Sequence, residues 1–343
     1  MSLTIPAITQ DQNKKKSSSS KSTSYYGRLD KPNIGKVTFG QYEFEPWYGN
    51  PAYFHPYEGV PNMLGYEYVN MKSRDPIARK RLKSYSAEDC FVDHLYVCEY
   101  CFKYTANENE MLEHWEVCSF HRENPNIGTS VYYDRKKNHI IREVKGYEDP
   151  LFCQNLCLFG KLFLDDKSVY FNIDHFNFYV FYAKDKGETD YIPMGFFSKE
   201  MIAYDPSTNL ACICVFPPFQ RRHIGAMLIE FSYAIASLTQ ESSGPEIPLS
   251  PYGKVSYLSY WAKNLAKELT QRRLKKFTFE ELSRATGYRK EDILFTLEHM
   301  EVLEVDSNGE VSFSSERFQH WMITTNFDAN KQHPLLDTGS FNL

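Results

Sequence analysis

The sequence predicts an α+β protein: a strand-rich central core, a small metal-binding strand module before it, and a mainly helical segment after it. Three observations lead there. Between Ile140 and Phe216 apolar residues recur partly with the period of a strand and partly with that of a helix. A compact cysteine/histidine cluster lies at 98–118, and beyond Gly253 the spacing turns helical, with a break at Gly287. At 343 residues, 16% of them aromatic, the chain has material for two domains or for one large domain with appendages.

Taken in order, residues 1–33 form a polar tail with a Lys14–Lys16 run and a serine tract, expected to be disordered. The lysines read as a solvated tail or as a weak nuclear-import or chromatin-contact patch. Residues 34–150 form an N-terminal strand region. Ile34 to Phe54 alternates and is rich in aromatics, which predicts one or two strands, while 56–88 reads as a loop or insertion. The cysteine/histidine module spans 91–121. Residues 151–255 form the core. Pro150 to Leu164 has helical spacing, Val169 to Tyr182 alternates as two antiparallel strands, and Met194 to Phe197 begins another. Leu210 to Phe216 is an apolar run that reads as a buried strand, stopped by Pro217 and Pro218. Residues 256–343 form the C-terminal helical segment. There Thr278 and Glu281 have capping-box spacing, and 278–304 reads as a helix-turn-helix-like pair. Docking of that pair on the core and contact with DNA are both open.

The net charge of −5 argues against a protein that coats nucleic acid by bulk charge. No apolar run approaches the about 18–20 residues of a membrane span, and the N-terminus lacks the apolar core of a signal peptide. Eight cysteines without a secretory signal suit a reducing compartment, where metal binding or packing comes before disulfides.

Two stretches carry chemistry. Cys98, Cys101, His114 and Cys118 stand as C-x2-C-x12-H-x3-C. A knuckle aims the first two thiolates, and a helix puts imidazole and third thiolate on one face, which gives a closed tetrahedral zinc site without room for a catalytic water. His121 is the competing ligand. The second is the passage from the 210–216 strand through Arg221, Arg222 and Gly225 into an amphipathic helix. A first helical turn has unpaired N–H groups and partial positive charge, so two arginines there call for an anion such as a phosphate.

With these residues in place, the chain resembles the MYST family of histone lysine acetyltransferases. The resemblance rests on the finger followed by LFCQNLCLFGKLFLDDKSVYF, GFFSKE, NLACICVFPPFQRR, LIEFSY and GPEIPLSPYG, in that order, from about Ile34 to near residue 325. It implies an acetyl-CoA-binding, N-acetyltransferase-like core and transfer of acetyl to a lysine of a histone tail, H4 foremost. It also implies a nuclear location, with nucleosomes and the accessory subunits of a silencing-type (SAS-like) complex as partners. A lysine amine is almost wholly protonated near neutral pH, so the reaction needs a base, a held thioester and oxyanion donors.

The resemblance makes Glu246 that base, in a rigid and partly apolar Gly-Pro-Glu-Ile-Pro setting. Cys212 matches the family's active-site cysteine, either as an acetyl-cysteine intermediate or as a wall of a ternary complex with direct attack. Cys214 is expected on the opposite face of the strand, and Cys153 and Cys157 read as packing residues. Lys161 matches the lysine acetylated within the enzyme, although a lone lysine on an apolar helix usually snorkels outward. Cofactor contacts are expected from Ile213, Cys214, Val215, Phe216 and Pro217, from Arg221, Arg222, His223, Ile224, Gly225, Ala226 and Met227, and from Ser250. The pattern departs at His223, where the family has a glycine. That side chain either crowds the pyrophosphate and strains the backbone, or adds a phosphate contact. A catalytically weak scaffold subunit of a chromatin complex is the alternative function.

Overall fold

The computed structural model describes residues 32–53, 91–120, 125–164, 172–185, 187, 189–239, 242–271, 277–309 and 311–343. The N-terminal tail, the 56–88 insertion, His121 and the first part of the expected 169–182 hairpin lie outside the described residues. The described part is mixed α/β.

Strands β1 (Ile34–Phe39), β2 (Tyr42–Phe44), β3 (Val92–Val97) and β4 (Tyr104–Thr105) make a sheet in the order β2-β1-β3-β4, with β1 and β3 parallel. Helix α1 (Glu108–Val117) follows, its start capped by Asn107, whose side chain accepts from the Asn109 N–H. Strands β5 (Thr129–Asp134) and β6 (His139–Lys145) lead into helix α2 (Pro150–Lys161), which opens on a proline. Strands β7 (Phe176–Lys184) and β8 (Tyr191–Glu200) come next, then the short β9 (Thr208–Leu210) and β10 (Cys212–Val215). The second sheet runs β10-β8-β7-β6-β5, antiparallel throughout. β7 and β8 are buried along nearly their whole length. Both faces are covered, which explains why the polar half of the expected alternation is thin.

Helix α2 is buried from Leu156 to Lys161 and part-exposed in its first turn, where Leu151 faces solvent. The Phe159 ring meets Phe39 at 4.8 Å, Phe216 at 4.9 Å and Phe102 at 5.6 Å. One aromatic cluster thus ties the strand module, the metal-binding knuckle and the central sheet into a single core.

Helix α3 (Ile224–Ala236) is shared between two cores. Leu228 and Phe231 join the main one, while Ile229 and Tyr233 join a second built with Trp261, Leu265, Tyr288 and Leu297. This double duty buries more of the helix than the expected amphipathic stripe, with Glu230 and Ser232 among its polar side chains. After β11 (Gly244–Pro245) come α4 (Pro251–Gln271), α5 (Phe279–Thr286), α6 (Lys290–His299), the hairpin β12 (Leu303–Val305) and β13 (Val311–Phe313), and α7 (Ser315–Thr324). The capping box at Thr278 and Glu281 is formed, and Gly287 ends α5 at a φ of 72°. The β12–β13 hairpin is an addition to the expected mainly helical segment; its residues are largely exposed, and each strand is only three residues long. The last residues turn back to the main core. Leu336 is buried, Phe341 stacks on Phe231 at 5.5 Å, and Asn342 N–H donates to the Val131 carbonyl. Among the described residues no helix is long and apolar enough to cross a membrane.

Candidate active site and metal centre

The turn between β3 and β4 presents Cys98 and Cys101, α1 presents His114, and Cys118 stands at its C-cap. The four ligand atoms all lie within 4.8 Å of one another. Cys98 Sγ is 3.8 Å from Cys118 Sγ, and Cys101 Sγ is 3.2 Å from His114 Nε2. Hydrogen bonds inside the cluster push the Cys98 and Cys101 thiols up and hold that of Cys118 down, while burial lowers His114 and keeps its imidazole neutral. Three crowded thiols cannot all lose their protons until a cation takes the charge. The donor set and spacing fit zinc, and Met111 is buried in one cluster with Cys98 and Cys118.

The second site follows β10. Its register pairs Cys212 with Ser198 and Cys214 with Phe196. Two residues apart on a strand share a face, so the expectation that Cys212 and Cys214 point opposite ways is corrected. They differ in depth: Cys214 is buried in the main core, and Cys212 is half-buried. Ile213 packs against both cores. Past Val215 and the buried Phe216, a turn of 3-10 helix begins at Pro217, and the Gln220 amide donates to the Val215 carbonyl to close it. Gly225 lies against Val215, 3.7 Å from where a Cβ would stand, so the start of α3 sits beside the end of β10. Ile224 and Met227 are buried; Gly225 and Ala226 are half-buried.

The two arginines of the turn differ. Arg222 donates to Asp185 at 2.7 Å and lies over the Phe219 ring, 5.4 Å from its centroid. The Tyr42 hydroxyl donates to the same carboxylate, and burial together with that bond pushes Tyr42 up to about 12. An anion does sit with this arginine, and the chain itself supplies it, from a loop with no local sequence link to the turn. Arg221 is exposed with a φ of 61°. His223 is exposed too and holds φ 62°, ψ 7°, the left-handed conformation a glycine would take there, without a side-chain capping bond.

Glu246 follows β11, which pairs in parallel with β9. Its N–H donates to the Leu210 carbonyl at 2.8 Å, which sets it beside the residue two positions before Cys212. The backbone is held as the sequence suggests. The side chain is exposed, as are Ile247 and Pro248, so the apolar shelter expected around the carboxylate is absent from this face. Ser250 caps α4, its hydroxyl accepting from the Gly253 N–H at 3.1 Å. Lys161, in the last turn of α2, is buried and does not snorkel; Cys153 and Cys157 are buried beside it in the core. Arg289, which reaches the Glu246 loop from the second core, was not legible from sequence, because more than 40 residues separate the two.

Residues 125–338 match the MOZ/SAS family. The chain is 43% identical to histone acetyltransferase SAS2 of Saccharomyces cerevisiae over 80% of its own length and 76% of that protein. It is 38% identical to histone acetyltransferase MOF of Drosophila melanogaster over 79% of the chain, and 32% identical to human histone acetyltransferase KAT6B over 78%. Those matches span 28% and 11% of the longer relatives. With the family match spanning β10, the cofactor turn and Glu246, and the SAS2 match covering 80% of the chain, the chain belongs to the MOZ/SAS family.

Proposed function

We propose that this chain, a histone acetyltransferase by its family, moves acetyl from acetyl-CoA directly to a histone-tail lysine with Glu246 as base. The observation that carries this reading is the bond from Glu246 N–H to the Leu210 carbonyl, which holds the backbone of Glu246 beside the residues that lead into β10. From there to the start of α3 the chain offers backbone groups in one line. β10 pairs with β8 along one edge. Its other edge gives N–H and C=O groups to an extended pantetheine arm, as an added strand would take them. At the far end the first-turn N–H groups of Ile224, Gly225 and Ala226 face a pyrophosphate, with Arg221 beside them. The core is N-acetyltransferase-like in this sense, and zinc on Cys98, Cys101, His114 and Cys118 shapes the strand module without entering the reaction.

In the step itself, the lysine nitrogen attacks the thioester carbon while Glu246 takes an amine proton. The tetrahedral oxyanion then collapses, the C–S bond breaks, and the coenzyme A thiolate leaves and takes the proton that Glu246 accepted, which regenerates the base. Direct attack is favoured because, among the described residues, Cys212 has no hydrogen-bonded base to take its proton. Cys212 then lines the site. The exposed Glu246 suits a carboxylate that the incoming tail covers, which would desolvate it at the moment of use.

The H4 tail, nucleosomes, a nuclear setting and SAS-like accessory subunits follow from the likeness to SAS2. Modification of Lys161 is compatible with its place next to the Phe159 cluster. The scaffold alternative draws on His223, but that residue keeps the backbone path of a glycine. Acetyl transfer from labelled acetyl-CoA to an H4 tail peptide and to nucleosomes, with and without accessory subunits, tests the reading. Loss of turnover in Glu246→Gln with acetyl-CoA binding intact is expected; an inactive wild type with partners bound would hand the case to the scaffold.

A further inference from the structure

We infer that Arg289 is a positioning residue for Glu246, and that the second core thereby sets the geometry of the base; this rests on the reading of Glu246 above. Arg289 is the N-cap residue of α6, and only 12% of its side chain is exposed. Its guanidinium converges on the β9–β11 pair. Nη1 donates to the Pro245 carbonyl at 3.2 Å, and Nη2 donates to the Gly244 carbonyl at 3.0 Å and to Thr208 Oγ1 at 3.3 Å. Asp205, at 3.6 Å from Nη2, holds the charge from the solvent side.

The consequence concerns one peptide unit, the one joining Pro245 to Glu246. Its oxygen accepts from Arg289, and its N–H donates to Leu210. Both polar ends of that plane are fixed, one by the second core and one by the strand that leads to Cys212. The Cα of Glu246 and the direction of its side chain inherit this. Guanidinium is suited to the task because its planar donors are preorganised to reach two carbonyls at once, which a single ammonium cannot do. The approach is also close. A Cβ on Gly244 would stand 2.3 Å from Asp292 Oδ2 and 3.2 Å from Arg289 Nε, so glycine there makes room for both side chains. The main alternative for a buried arginine is to tie one core to another without regard to chemistry. Pinning the peptide that carries the base is a more specific arrangement than that requires.

The test is a double-mutant cycle on the 343-residue chain, combining Arg289→Met with Glu246→Gln and reading kcat, KM for acetyl-CoA and acetyl-CoA binding by calorimetry. Displacement of a catalytic group by the order of 1 Å costs about 100-fold, so Arg289→Met should lower kcat by about 10- to 100-fold. Acetyl-CoA binding should stay within about twofold, Arg289→Lys should recover part of the loss, and in the Glu246→Gln background Arg289→Met should change little. If the methionine variant does not fold, Arg289→Lys carries the same cycle with a smaller expected effect. Equal losses in both backgrounds, or a folded Arg289→Met with unchanged kcat, would overturn the inference while leaving Glu246 as base. Full activity in Glu246→Gln alone would remove the base, and this inference with it.

Discussion

His223 offers a direct measure of what a side chain costs in the cofactor turn. Its φ of 62° and ψ of 7° put it in the left-handed region. For a residue with a Cβ that conformation costs roughly 1–2 kcal/mol, toward the low end for histidine, which tolerates it better than most. Glycine removes the strain but loses more backbone entropy on folding, roughly 0.5–1 kcal/mol. The net effect of His223→Gly is therefore a gain of up to about 1 kcal/mol. His223→Ala separates the terms, since it deletes the imidazole and keeps the Cβ. The glycine variant should exceed the alanine variant by about 1 kcal/mol, which for a chain of this size means about 1–2 °C in melting temperature. Differential scanning at fixed zinc and protein concentration reads the difference, and calorimetric titration of acetyl-CoA reads the effect on affinity. Equal melting temperatures for glycine and alanine would refute the strain argument. Tighter binding of acetyl-CoA by both variants than by wild type would show the imidazole crowding the phosphates; weaker binding by both would show it contributing a contact.

Two further predictions concern charge and metal. Burial, the leading cause, raises the Asp292 carboxyl from 3.8 to about 6 against the favourable pull of Arg289, and its Oδ2 is buried without a hydrogen-bond partner in the structure. The folded chain therefore binds more protons than the unfolded one between those values, and stability falls as pH rises through that window. Asp292→Asn cannot ionise and should be more stable than wild type above pH 6, by an order of 2–3 kcal/mol, with the advantage shrinking toward pH 4. Denaturant unfolding at pH 4.5 and 7.5 checks the trend, and a constant difference would count against it. Purified protein should hold one zinc, and chelation or Cys118→Ser should release it and lower the melting temperature. Phe102 in the knuckle touches Phe39, Phe152, Phe159 and Phe216, so loss of the metal would loosen the main core as well as the finger. A metal-free preparation with an unchanged melting temperature would contradict this.

Much of this was legible where the signal is local. The finger spacing fixes which four side chains meet, because a knuckle and one helical turn allow little else. The capping box and Gly287 mark α5 within one element. The stop at Pro217 and the apolar run before it locate β10 and the turn to α3. What stayed hidden depends on contacts between distant residues. Nothing near Arg222 announces Asp185, nothing near Glu246 announces Arg289, and exposure of Glu246 is a property of the assembled face. The β12–β13 hairpin escaped because each strand is only three residues long, too short for a period of two to stand out. The facing of Cys214 was a matter of strand geometry, recoverable from sequence by counting residues in twos.

The returning C-terminus bears on how the protein can be handled. Glu230, on α3, accepts the N–H groups of Leu335 and Leu336 at 3.1 and 3.0 Å, and Phe341 forms an isolated bridge with Tyr132 of β5. β5 is the outer strand of the five-stranded sheet, so this segment covers an edge that would otherwise offer its backbone to another chain. The residues it clasps belong to the helix whose other end meets the cofactor turn. A tag or fusion joined rigidly at Leu343 would pull on that clasp, baring a sheet edge to self-association and loosening α3 together. A fusion placed after residue 343 therefore calls for a long flexible spacer.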